Sequence, residues 1–287
     1  MGQMQSKDGV LMAKPISGNR ATDFLMVACR TLALVLVVFN SPKAEAKGAG
    51  VPRARMNLIL VHGTDTDGSG WRGVYDILKQ DGYRVSVVQE PLTGLSDDVA
   101  ATQRVIDQQQ GPTILVGHSY GGTIITIAGA DPKVRALVYV AAMQPDVGET
   151  TNQLISKIPG EIPSSDVRRT KDGFLFINPA AFAADFGADL PKAQADFMAH
   201  AQMPVAAAAF DASVTIAAWH DKPSYGIVAT EDRVLNPKLA RWMYERSGAK
   251  ITEIKASHAV HITQSRAVAS VIEAAARSVR ENTPKVR

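Results

Sequence analysis

The chain has 287 residues, of which 46% are hydrophobic and 21% charged, enough for one large α/β domain with an insertion. A net charge of +3 with no lysine/arginine cluster argues against a nucleic-acid partner. One cysteine and no His/Cys ligand spacing argue against a structural zinc site or a disulfide framework.

The first 46 residues differ from the rest. Lys7, Lys14 and Arg20 precede an apolar run, Thr31 to Phe39, and Ala44-Glu45-Ala46 follows with the small-x-small spacing that a signal peptidase reads. The spacing predicts a cleaved signal peptide over 1–46 and export to the periplasm or beyond. Without cleavage the same segment is an N-terminal membrane anchor, although the run falls short of the roughly 20 residues that a bilayer needs and Arg30 interrupts its start. Five of the 31 basic and three of the 28 acidic residues lie in this segment, so the processed chain carries +1 and no cysteine. No membrane contact is expected after cleavage.

A Gly/Pro/Arg linker over 47–55 leads into a first strand, Asn57 to His62, followed by the glycine-rich stretch Gly63 to Gly70. Helices are predicted over Trp71–Gln80, with Trp71, Val74, Tyr75 and Leu78 on one face, and over Leu95–Gln110, with Ser96 as N-cap and Val99, Thr102, Val105 and Ile106 inward. A strand, Tyr83–Gln89, separates them. Further strands are predicted at Pro112–Val116 and Val134–Ala141. Strand and helix alternating through short connections means a mostly parallel sheet with helices on both faces.

Composition changes at Gln144-Pro145. Residues 145–223 hold seven of the 15 prolines and many alanines, with short helices expected at Pro179–Phe186 and Pro191–Gln202, each opened by proline. This reads as a small helical cap inserted between core segments 56–144 and 224–287. The core resumes with strand Ser224–Thr230, helix Pro237–Ser247, strand Lys250–Ala256 and a final helix from Thr263 to Arg280. The sheet should then hold about six strands.

Chemistry centres on Gly117-His118-Ser119-Tyr120-Gly121, which lies between the apolar run Pro112–Val116 and a small-residue helix. A Gly-x-Ser-x-Gly turn at that junction exposes a serine on a strained, tight bend, where glycines leave room for the chain. A serine hydroxyl is a weak nucleophile until a base takes its proton, and that base must be oriented by a carboxylate. His258, at the end of the last strand, is the candidate base, with His261 as its nearest competitor. Asp232 is preferred as the acid over Glu231 beside it, and Asp146 comes third. The backbone N–H groups of Tyr120, after the serine, and Thr64, after the first strand, are the candidate oxyanion donors. His62 and His118 flank this region and are expected to brace loops.

Leu60-Val61-His62-Gly63, Gly68-Ser69-Gly70-Trp71, the Gly117–Gly122 elbow, Ala229 to Arg233 and Ser257-His258-Ala259 together resemble the bacterial relatives of plant hydroxynitrile lyases and methyl-ester esterases within the alpha/beta hydrolases. The resemblance covers about residues 56–280. It implies an α/β-hydrolase fold, a Ser119-Asp232-His258 triad, and oxyanion donors from Thr64 and Tyr120. Lyases of this group carry threonine where Gly63 stands and lysine where Ala259 stands, side chains that hold a cyanohydrin hydroxyl and stabilise cyanide. Their replacement favours ester hydrolysis of a small, apolar molecule through an acyl-enzyme, with no cofactor and no metal. Two other readings stay open: a receptor for a small ester or lactone with a slow triad, and a cyanohydrin lyase. A homo-oligomer is compatible with everything above. In the cap, Phe174, Phe176, Phe182, Phe186, Phe197, Met198, Met203, Phe210 and Trp219 offer apolar surface for packing or for an acyl or aryl group.

Overall fold

Side chains alternate across the central strands, and here both sets are apolar. Along β1 (Asn57–Val61), Leu58 and Leu60 point to one side and Ile59 and Val61 to the other, all fully buried. A strand that is apolar on both faces needs a cover on each, which the intervening helices supply. The computed structural model describes residues 56–282. The predicted export segment 1–46, with Cys29, and the linker 47–55 lie outside the described residues.

After β1 come α1 (Arg72–Gln80), β2 (Arg84–Val87), α2 (Leu95–Asp107), β3 (Thr113–His118), α3 (Gly121–Ala128) and β4 (Val134–Val140). The insertion contributes α4 (Thr151–Lys157), β5 (Val167–Arg169), β6 (Phe174–Ile177), α5 (Pro179–Asp185), α6 (Lys192–His200), β7 (Val205–Ala206) and α7 (Ala207–Asp211). The core then closes with β8 (Ser224–Ala229), α8 (Pro237–Arg246), β9 (Lys250–Ile254), α9 (Val260–Thr263) and α10 (Ser265–Glu281). The main sheet has six strands in the order β2-β1-β3-β4-β8-β9, every neighbouring pair parallel.

Two apolar layers sandwich this sheet. Helices α1 and α10 pack Val74, Leu78, Val268, Ile272 and Ala276 against Leu58, Leu60, Val116 and Val138. Helices α2, α3 and α8 pack Ile106, Ile124, Ile125, Leu239 and Met243 against Ile59, Val61, Leu115 and Tyr139. Each such aliphatic side chain removed from water contributes about 1.5–3 kcal/mol before ordering costs.

The strand order also fixes where a ligand can sit. From β1 the chain first moves outward to β2, then returns to place β3 on the other side of β1. The connections leaving β1 and β3 therefore diverge, and the crevice opens at the carboxyl ends of these two strands. Thr64 follows β1 and Ser119 follows β3.

Two sequence expectations are corrected. The cap is not wholly helical, because β5, β6 and β7 form a three-stranded antiparallel sheet. Its central strand, Phe-Leu-Phe-Ile, is β-favouring, but its partners are only three and two residues long, so neither carries a readable period. Ser96 is not the N-cap of α2. The helix starts at Leu95, two residues before a Ser96 cap would allow, behind Gly94, whose carbonyl takes the N–H groups of Asp97 and Asp98 at 3.0 Å, while Ser96 is exposed in the first turn.

Candidate active site

The elbow is built by close approach. A Cβ placed on Gly121 would stand 2.6 Å from the His62 carbonyl oxygen, so glycine is what lets α3 start directly against the end of β1. Ser119 itself sits at φ 54, a left-handed conformation that costs a non-glycine residue on the order of 1 kcal/mol and persists only where surroundings impose it. They do: the Ser119 N–H donates to Val140 O at 3.3 Å, and its carbonyl accepts from Gly122 and Met143, both at 3.0 Å.

Among the predicted partners, His258 and Asp232 are brought together. The His258 Nδ1–H donates to Asp232 Oδ2 at 2.7 Å, and both side chains are 1% exposed. The other carboxylate oxygen of Asp232 accepts the N–H groups of Val234 at 2.8 Å and Leu235 at 2.9 Å. These two bonds hold one oxygen in place and fix the other toward the imidazole. His258 Nε2 is buried without a protein partner among the described residues, so it is available to take a proton.

The competing candidates are engaged elsewhere. Glu231 is exposed and pairs with Lys255 at 3.5 Å, and Asp146 holds His220 at 2.8 Å. His261 is fully buried in α9, where burial and the nearby His258 and His62 push its pKa down to about 3.

His118 and His62 act as braces. His118 Nε2–H donates to the His258 carbonyl at 2.9 Å, tying the loop of the base to the nucleophile's strand. Burial and the imidazoles of His261 and His258 hold the His118 pKa well below the usual value, which keeps the ring neutral. His62 Nδ1–H donates to the Gly63 carbonyl at 2.7 Å. In a trans peptide the C=O and the following N–H point in opposite directions, so this bond also sets the direction of the Thr64 N–H. On its other side His62 Nε2 meets Glu90 Oε2 at 2.9 Å. Burial opposes charge on His62, but hydrogen bonding to Glu90 and its charge outweigh this and raise the pKa. Neither the Thr64 nor the Tyr120 N–H donates to a protein acceptor among the described residues. The Tyr120 side chain is held from α2, its hydroxyl donating to Asp98 Oδ2 at 3.0 Å.

Above the elbow is a cavity of about 250 Å³ whose walls include Thr64, Ser119, Tyr120, Met143, Leu175 and Phe210. Of the cap aromatics, Phe176 and Phe210 line it; Phe182 and Phe186 instead stack on each other at 4.8 Å in a buried cluster with Ala259. Trp219 packs, with its indole N–H on the Pro145 carbonyl at 2.9 Å. Gly63 stands against the nucleophile, since an added Cβ would be 2.6 Å from Ser119 Cβ. The cap also secures the loop of the base, because Asp189 accepts the hydroxyls of Ser257 and Thr263.

Sequence reasoning passed over Asp65. It lines the same cavity, is buried, lies at φ 62, and accepts the Thr64 hydroxyl at 2.8 Å. Burial pushes its carboxyl up to about 6, against the opposing influence of Thr64, His258 and the Ile177 N–H. Its place directly after a candidate oxyanion residue was the only signal available.

Comparisons with known proteins agree with this geometry at the level of family. The sequence model of the alpha/beta hydrolase family matches residues 58–271. The carbendazim hydrolyzing esterase of Nocardioides sp. (strain SG-4G) is 33% identical over 122 residues, which are 37% of this chain and 50% of that protein, so the match spans half the length of that relative. Among solved structures, a pyrethroid hydrolase from Sphingobium faniae JZ-2 superposes with a TM-score of 0.65 at 20% identity, over 78% of this chain and 98% of the other. A polyneuridine aldehyde esterase gives 0.66 at 18% identity, over 77% and 99%. At such identities the likeness is one of fold.

Proposed function

The chain belongs to the alpha/beta hydrolase family, and from that premise we propose that it is a serine carboxylic-ester hydrolase working through Ser119, His258 and Asp232. The observation that carries this reading is the His258–Asp232 pair at 2.7 Å with its outer nitrogen unpaired, in a chain whose elbow holds Ser119 in a left-handed conformation. Ser119 Oγ attacks the ester carbonyl while His258 Nε2 takes its proton. The imidazolium that forms is stabilised by Asp232, and the oxyanion by the N–H groups of Thr64 and Tyr120. His258 then passes the proton to the departing alkoxide, leaving an acyl group on Ser119. Water, deprotonated by the same imidazole, releases the acid and restores the serine.

Two positions favour hydrolysis over cyanohydrin cleavage. Gly63 has no room for a threonine side chain, and Ala259 is fully buried against Phe182 and Phe186, where a lysine ammonium would be desolvated. Curated relatives named as esterases and hydrolases support the same class of reaction. The cavity's mainly apolar wall suits a small organic ester.

The test is hydrolysis of p-nitrophenyl acetate and butyrate by the wild type and by Ser119→Ala, with circular dichroism to show an unchanged fold. Loss of turnover together with loss of labelling by a fluorophosphonate supports the reading. Activity surviving in Ser119→Ala would sink it.

A further inference from the structure

We propose that Asp65 determines substrate specificity: its carboxyl group takes a hydrogen bond from a hydroxyl or amino group carried on the atom bonded to the ester carbonyl carbon. The favoured substrates are then 2-hydroxy or 2-amino esters rather than plain aliphatic ones. This rests on the ester-hydrolase reading above and specifies its substrate.

Three independent observations point the same way. The rest of the cavity wall is mainly apolar, with Met143, Ile155, Leu175, Ile177 and Val205 among its members, so a carboxyl group there is out of keeping with simple acyl recognition. Burying a carboxyl is costly unless donors compensate, and here the donors among the described residues are few, the Thr64 hydroxyl and the Ile177 N–H. A carboxylate has two oxygens and about four acceptor sites, so capacity remains. Finally, the backbone at Asp65 is held at φ 62, with its N–H on the Met203 carbonyl at 3.3 Å, and the residue is buried at the cavity wall.

Position then defines the ligand group. Asp65 follows Thr64, whose N–H is the candidate oxyanion donor, and both line the cavity together with Ser119. With the carbonyl oxygen between Thr64 and Tyr120, the residue that follows Thr64 on the same cavity wall is assigned to the group next to the carbonyl carbon. A site built to accept a hydrogen bond from its substrate rejects the analogue that lacks the donor, because the buried acceptor is left unpaired.

The experiment compares methyl mandelate with two donor-free esters that bracket it in size, methyl phenylacetate and methyl 2-methoxy-2-phenylacetate. Wild type should favour mandelate in kcat/KM over both by about tenfold or more. Asp65→Gly, which suits the left-handed backbone, should bring that ratio to near one, chiefly through a higher KM for mandelate. Asp65→Asn, which keeps one acceptor oxygen, should give an intermediate ratio. A wild-type ratio near one, failure to hydrolyse mandelate while p-nitrophenyl acetate is turned over, or an equal fall for all three esters in both variants would overturn the proposal. The last result would make Asp65 a brace for the loop. Turnover surviving in Ser119→Ala would instead refute the hydrolase reading itself, whatever the ratio.

Discussion

Replacing Gly63 by alanine adds one carbon atom at a point where the oxyanion loop touches the nucleophile. That atom would fall 2.6 Å from Ser119 Cβ, 2.9 Å from the His118 carbonyl oxygen and 3.2 Å from Ser119 Oγ. Carbon atoms in contact prefer about 3.5–4.0 Å, so the two loops must separate by roughly 1 Å. Neither side can yield by a rotamer change, because the obstacles are backbone and the first side-chain atoms of a residue pinned by three main-chain hydrogen bonds. A misplacement of about 1 Å between reacting groups costs on the order of 100-fold, or about 2.7 kcal/mol of barrier. Gly63→Ala should therefore lower kcat/KM for p-nitrophenyl acetate by about 100-fold, mostly in kcat, while a thermal melt shows a folded protein. Gly63→Thr should be at least as impaired and release no cyanide from mandelonitrile. Gly63→Ala with kcat/KM within threefold of wild type would refute the argument that this contact sets the geometry.

Asp232→Asn keeps the shape but presents an amide to His258, which no longer selects the tautomer with Nδ1 protonated; kcat should fall by on the order of 10⁴ with little change in KM, read from steady-state kinetics. His62→Ala removes the bond at 2.7 Å that holds the Gly63 carbonyl, so the Thr64 N–H loses its fixed direction. A loss of about tenfold in kcat is expected, smaller than the 10²–10³ for deleting an oxyanion donor outright, with KM nearly unchanged. A change confined to KM would count against a role in the oxyanion loop. Asp65 supplies a stability test with a defined sign. Its carboxyl is pushed from 3.8 up to about 6, so the folded state binds more protons than the unfolded chain between those values, and the contribution of this group to stability is lost as pH rises through that window. Asp65→Asn removes the effect, so its stability relative to wild type should increase from pH 4 to pH 7 by up to about 3 kcal/mol in denaturant melts. A pH-independent difference would show that the carboxyl is not burdened by burial.

What could be read from the sequence, and what could not, follows from how far each feature depends on remote parts of the chain. The central strands β1, β3, β4 and β8 were legible because each carries an apolar run, and the edge strands β2 and β9 because β-branched residues recur in a short segment that follows Gly82 or Gly248. Their ends then located Ser119, Asp232 and His258 without any knowledge of packing. Helix α4 announced itself less loudly, although Thr150 and Gln153 form a capping box, with the Thr150 hydroxyl accepting the Gln153 N–H at 3.1 Å. The cap strands were opaque because Val205–Ala206 becomes a strand only when Phe174 and Leu175 lie beside it. His62 and His118 were expected to brace loops from their places beside the motifs, but the acidic groups of the site were hidden for the same reason as the cap strands. Nothing near Asp98 in the sequence says that it will be buried, pushed up to about 6, and used to hold both the Leu92 N–H at 2.8 Å and the Tyr120 hydroxyl. Asp65 and Asp98 share this property: each is a carboxyl buried at the site, where specific partners offset only part of the cost of burial. A reading from local pattern finds the groups proposed to react, because they must sit at strand ends. The groups that aim them can come from any element that reaches the crevice, so beyond His62 and His118, which flank the motifs, the folded chain is needed to identify them.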